Sequence, residues 1–179
     1  MGTGKRLTLC LLLGLLTACG AAYGPGATPR DTLRNYEGAM RDLEFGCLYD
    51  MMAPSARAQI DGQIEAAQMA LSAIPPDFQK KFGLDDFVDA SPREALDITA
   101  AQMRDRDQDD KFKKMSLAIL EVREYGDTAS VKVSVIDGRR DSERRIKMVR
   151  TDGLWYLASD IAMGPIAPIM PTMPAPRFT

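Results

Sequence analysis

The polar and apolar positions change period once along this 179-residue chain, and the change separates a helical part from a strand part. Leu33, Tyr36, Met40 and Leu43 recur three and four positions apart, the spacing that lines one face of an α-helix. Thr28, Pro29 and Asp31 supply its start: an N-cap, a proline at the first helical position, and an acid three residues on that reaches back to the cap. A second short helix, Phe45 to Met52, ends before Pro54. Ser55 is then expected to cap a third, whose stripe Ile60, Ile64, Ala67, Leu71 and Ile74 stops at Pro75-Pro76. A shorter turn over Asp77 to Phe82 follows, and Ser91-Pro92-Arg93-Glu94 repeats the capping pattern for a helix to about Arg104. The charged run Asp105 to Lys114 closes this half.

Beyond it the period falls to two. Leu117-Ala118-Ile119-Leu120-Glu121-Val122 leads to a turn at Tyr125-Gly126-Asp127, after which Val131, Val133 and Val135 alternate with Lys132 and Ser134. Asp137-Gly138 marks the next reversal, Arg144 to Thr151 forms a third strand, and Asp152-Gly153 turns into Leu154-Trp155-Tyr156-Leu157. Helices followed by strands predict an α+β fold, with the N-terminal helices on one face of a C-terminal antiparallel sheet of about four strands.

Thr28-Pro29-x-Asp31-Thr32-Leu33-x-x-Tyr36, the short Phe45 to Met52 helix with its Pro54-Ser55 stop, Tyr125-Gly126-Asp127-x-Ala129-x-Val131 and Asp152-Gly153-x-Trp155-x-Leu157 resemble the corresponding stretches of small envelope lipoproteins with a cystatin-like roll. These belong to the nuclear transport factor 2-like superfamily. The resemblance covers roughly residues 28–160 and implies a single α+β domain there; the helical stretch Ser55 to Arg104 is longer than a minimal member needs.

The N-terminus follows neither period. Lys5 and Arg6 precede an uncharged, leucine-rich run from Leu7 to Leu16, which has the anatomy of a signal peptide. Ten residues fall short of the roughly 18 that a membrane span requires. The run ends in Leu16-Thr17-Ala18-Cys19-Gly20, which resembles the bacterial lipobox. That resemblance implies cleavage after Ala18 and acylation of Cys19, giving a signal peptide over 1–18 and a lipid-anchored N-terminus. Gly20, in place of an acid, implies sorting to the outer membrane, with the domain facing the periplasm. The small residues to Ala27 read as a flexible tether over 19–27, and 161–179, with five prolines from Gly164 to Thr179, reads as a disordered tail. An ordinary secretory signal beside a coincidental cysteine is the alternative.

Processing changes the composition. Removing 1–18 takes two of the 23 basic residues and none of the 25 acids, leaving a net charge of −4 that argues against a nucleic-acid partner. Cys10 leaves with the signal and Cys19 goes to lipid, so Cys47 has no intramolecular disulfide partner. It is either a reactive thiol or, the plainer reading, a small buried hydrophobe. The absence of histidine excludes His-dependent triads and the commonest zinc and haem ligand, and no cofactor or metal is implied.

The remaining clusters have competing readings. Asp105-Arg106-Asp107-Gln108-Asp109-Asp110 opens like a calcium loop, yet it has Asp110 and Ser116 where such a loop needs Gly and Glu, so it reads as a solvated linker. Arg139, Arg140, Arg144, Arg145 and Lys147 form the strongest basic concentration, suited to anionic headgroups or an acidic partner, or to protecting an exposed strand from edge-to-edge association. Tyr36, Tyr49 and Trp155 are the candidates for a ligand cavity or interface; the plainer reading makes the tyrosines core aromatics with hydroxyls at the rim. Met40, Met51, Met52 and Met69 either line a cavity or fill core gaps.

The expectation is a membrane-anchored, non-enzymatic binding or adaptor domain in the cell envelope, whose partner is an envelope protein or a small apolar ligand. A carrier of a lipid in a sheet-lined cavity is the alternative. A histidine-free enzyme comes third, pairing a pocket carboxylate such as Asp42 or Asp50 with a tyrosine.

Overall fold

The computed structural model describes residues 23–81, 83–105, 110–136 and 141–158. Seven helical segments precede the sheet among these residues: α1 (Pro29–Arg41), α2 (Phe45–Asp50), α3 (Pro54–Ser72), α4 (Pro76–Lys81), α5 (Asp85–Val88), α6 (Pro92–Asp105) and α7 (Asp110–Lys113). Then come β1 (Ser116–Tyr125), β2 (Thr128–Ile136), β3 (Asp141–Thr151) and β4 (Leu154–Leu157), an antiparallel meander in the order β1-β2-β3-β4. The fold is α+β, with helices against one face of the sheet.

Pairing register decides what that face carries. Ala129 opposes Met148, Val131 opposes Ile146 and Val133 opposes Arg144, so alternate residues of β2 and β3 point to the helices. Ala129, Val131, Val133, Ile146, Met148, Trp155 and Leu157 are buried there, beside half-buried Leu117, Ile119 and Val122 from β1. The register of β1 shifts between Ile119 and Glu121, leaving Leu120 as an exposed bulge residue. The other face carries Glu121, Arg123, Lys132, Glu143 and Arg145, with Arg123 and Lys132 paired to Glu121 and Glu143. β4 pairs with Met148–Thr151 and the Ala158 N–H donates to the Lys147 carbonyl at 2.9 Å, so among the described residues the stretch of β3 before Lys147 has no strand partner on that side.

Helix α1 lies on the sheet, touching β1 and β4, while α6 packs on α2 and α3 packs on α5 and α6. Thr28 caps α1 as expected, accepting from the Asp31 N–H at 3.2 Å. The helix ends in a Schellman turn, with the Glu44 N–H donating to the Ala39 carbonyl at 2.8 Å. That turn places Leu43 at φ 56°, a position glycine usually takes. Leu43 is buried and the Arg104 guanidinium donates to its carbonyl and to that of Asp42, which offsets the backbone cost.

The capping box of α6 also forms: the Ser91 N–H and hydroxyl donate to the Glu94 carboxylate, and the Glu94 N–H donates back to Ser91 Oγ. The start of α3 differs from expectation. Ser55 is an exposed residue inside the helix, and Ala53 holds the cap position with no side-chain bond. The reason lies in the sheet. The Ala53 N–H donates to the Leu157 carbonyl at 2.8 Å, fixing Ala53 as extended, and Pro54 then starts the helix with its preset φ. Helix α2 stops at Asp50 rather than Met52, because Met52 bridges to Leu157.

The small residues before Thr28 also differ from a free tether wherever they are described. Residues 23–27 lie along α1 as a strap. The Tyr23 hydroxyl donates to the Asp42 carboxylate, and its ring covers Gly38, where any Cβ would collide with it. Asn35 donates to the Gly24 carbonyl at 2.8 Å, and Gly26 forms an antiparallel bridge with Trp155. At the centre is Thr32, with no solvent exposure: its hydroxyl accepts from the Gly26 N–H at 2.8 Å and donates to the Trp155 carbonyl at 2.9 Å. Strap, helix and sheet meet on one oxygen. Thr32→Val keeps the shape and removes both bonds, leaving a buried donor and acceptor unpaired, and should cost about 2 to 3 kcal/mol in urea unfolding. A loss under about 0.5 kcal/mol would show that the knot contributes nothing net.

Candidate functional surfaces

The three aromatic candidates sit in separate neighbourhoods. Tyr36 faces the core from α1 and is almost fully buried. Tyr49, half-buried on α2, donates to Asp61 at 2.9 Å while the Arg57 guanidinium lies 5.4 Å from its ring centre. Trp155 is buried at the foot of α1 with Arg150 over its ring at 5.6 Å, and Arg150 is itself held by Asp127. Met40, Met51 and Met52 are fully buried core residues, whereas Met69 is exposed on α3.

Tyr36 has an unusual environment. Its hydroxyl has no hydrogen-bond partner among the described residues, and burial pushes its pKa up to about 12, opposed only by the Arg144 charge. Cys47 is buried on α2, and its thiol is raised first by burial and then by Glu44, which keeps it protonated and a poor nucleophile. Asp42 is engaged by Tyr23, and Asp50 accepts from Arg93 at 3.0 Å. Neither is placed beside a buried tyrosine hydroxyl.

An open groove of about 670 Å³ runs between α5 and α6, lined by Asp85, Asp86, Asp89, Glu94 and Asp97 with Ala90 and Ile98. Two of these acids also hold the fold. Glu94 closes the capping box, and its bonds from Ser91 lower its pKa. Asp97 accepts from the Gly46 N–H at 2.8 Å and from Arg93 at 3.3 Å, and an added Cβ at Gly46 would lie 2.5 Å from its carboxylate. Sequence reasoning passed over this groove. Its signal was present in Asp85-Asp86-x-x-Asp89, facing Glu94 and Asp97 one helical turn apart. Among the described residues, no group of three or more His, Cys, Asp or Glu is arranged to hold a metal ion.

Of the basic candidates, Arg144, Arg145 and Lys147 are exposed midway along β3, before the stretch that pairs with β4. Arg145 approaches Glu121 at 3.9 Å. Arg139, Arg140, the acid run over 106–109, Cys19 with the signal peptide, and the tail over 161–179 lie outside the described residues. No described helix is long and apolar enough to cross a membrane.

The fold and these surfaces define an α+β domain with one sheet face covered by helices and the other charged. Comparison with protein-family models, curated proteins and solved structures returned no match.

Tyr36 yields a test of the core. A tyrosine whose folded pKa exceeds its unfolded value near 10 stabilises the fold below pH 10 and loses that contribution as the pH climbs toward 12. Tyr36→Phe should therefore raise stability at pH 7 by about 1 kcal/mol, by removing an unpaired buried hydroxyl. Its advantage should widen by up to about 3 kcal/mol between pH 10 and 12. Paired urea titrations at both pH values check this, and parallel curves would contradict the assigned environment.

Proposed function

We propose that this protein is an envelope lipoprotein, anchored through an acylated Cys19 and probing its surroundings with a non-enzymatic binding or adaptor domain. The observation that carries the reading is Leu16-Thr17-Ala18-Cys19-Gly20 at the end of an apolar run too short to span. Two or three acyl chains on one residue make a durable anchor, since each buried CH₂ contributes about 0.8 kcal/mol.

Binding without chemistry is supported by the state of the reactive groups. The chain has no histidine, its Cys47 thiol is held protonated, and the carboxylates facing the open groove are partly committed to capping and to Arg93. Binding rather than lipid carriage is supported by the core, where large side chains from the sheet and from α1 and α2 are fully buried together. The groove on α5 and α6 is acid-lined and open, a poor chamber for an apolar cargo and a better match to a cationic surface. Exposed Met69 and Phe78 on α3 and α4 add apolar contact area beside it. A partner of this domain is therefore a protein of the envelope.

Cys19→Ala should abolish incorporation of labelled fatty acid and leave uncleaved precursor, read by mass spectrometry of the N-terminus. Normal cleavage with soluble release in that variant would sink the anchor. Crosslinking in intact cells followed by identification of the adducts addresses the adaptor role, and a stoichiometric lipid in place of any adduct would favour the carrier.

A further inference from the structure

Strand β3 is served unequally by its two neighbours. It pairs with β2 from Asp141 to Val149, but with β4 only from Met148 to Thr151. The β4 side nevertheless continues past Leu157, because the Ala158 N–H donates to the Lys147 carbonyl at 2.9 Å in the same register. Along an antiparallel ladder, successive residues turn their N–H and C=O groups to opposite neighbours. Lys147 faces β4, and the Arg150 N–H, on the other parity, donates toward β2 at Asp127. Arg145 and Glu143 share the parity of Lys147, so their backbone groups point out of the sheet edge, where no strand meets them among the described residues.

The sequence after Ala158 fits that edge in three ways. Extending the register puts Ser159, Ile161 and Met163 on the parity of buried Leu157, toward the helices, and Asp160 and Ala162 on the charged outer face. It also sets Asp160 directly across from Arg145, whose nearest acid among the described residues, Glu121, is 3.9 Å away. Opposite charges facing each other across a strand pair favour that register. The lengths agree as well. Gly164 falls opposite Asp141, the first residue of β3, and Pro165, which has no N–H to give a ladder, comes next.

We propose that the open edge of β3 is a docking site for residues 159–163 of this same chain, which continue β4 with Asp160 on Arg145. The inference is independent of the Cys19 anchor. A bare strand edge is a template for pairing with other chains, and this segment closes it from within. The β3 edge is thereby withdrawn from the surfaces to which a partner could add a strand, which leaves recognition to the helical side.

Amide hydrogen exchange in the purified full chain, read residue by residue by NMR, tests the docking. The N–H groups of Arg144 and Ile146 belong to the β2 ladder and serve as controls on the same strand. The Arg145 amide should exchange at least about tenfold more slowly in the full chain than in a chain ending at Ala158, with both controls unchanged. Asp160→Pro removes the N–H that reaches the Arg145 carbonyl, and should produce the same loss in a chain of full length, which secures the test if the shortened chain does not fold. Asp160→Arg should also speed exchange at Arg145, and Arg145→Asp added to it should restore protection at that position. Equal exchange at Arg145 in the full and Asp160→Pro chains, or a loss shared by Arg144 and Ile146, overturns the proposal. Protection that rises with protein concentration overturns it too, because the occupant is then a second copy.

Discussion

One hydroxyl holds three parts of this molecule in register. Thr32 stands where α1 crosses Trp155, and its oxygen is shared between the incoming strap and the last strand, from a position with no access to water. In such a place neither partner has a substitute, so a lost bond leaves a desolvated polar group. Because the Trp155 N–H also donates to the Gly26 carbonyl, the strap closes against β4 as a one-residue extension of the sheet. The strap is fastened to the domain along its whole described length, since Gly26, Gly24 and Tyr23 are held in turn along α1.

The core must do without a crosslink. With Cys47 buried and unpaired, stability rests on packing, and the packing is concentrated where short elements converge. Helix α2 has only six residues, too few to persist alone, yet Phe45, Cys47 and Leu48 are buried and Gly46 is approached closely enough by Asp97 that no side chain fits. Asp97 and Arg93 thereby tie α6 to both ends of α2, and the Met52 to Leu157 bridge ties α2 to the sheet. The exposed ion pairs involved contribute little individually; their value is geometric, since they fix the angle at which α6 passes and so the walls of the acidic groove.

The parts legible in advance were those where one local rule decides the outcome. The capping patterns at Thr28 and Ser91 act within four residues, and the turns at Gly126 and Gly153 adopt φ of 62° and 80°, which glycine takes without cost. The four-strand meander followed from period and turn spacing alone. What escaped was set by distant residues. Ser55 satisfied every local condition for a cap, but a carbonyl of β4, a hundred residues on, claimed the Ala53 N–H and moved the helix start. Small residues over 23–27 read as slack because composition does not reveal that Gly38 was left bare to receive the Tyr23 ring. The acids of α5 and α6 looked like ordinary surface until two helices brought them to one groove.

Two of the charged surfaces have different physical standing. The acids of the groove sit on helices whose positions are determined by Asp97, Gly46 and the Ser91 capping box, so the groove is preorganised. The cations Arg144 and Arg145 lie midway along β3 on opposite faces of the sheet, where Arg145 leans on Glu121 at 3.9 Å and no capping box or helix packing fixes either side chain among the described residues. A rigid acidic groove suits a partner of defined shape, because the ordering cost is already met before contact.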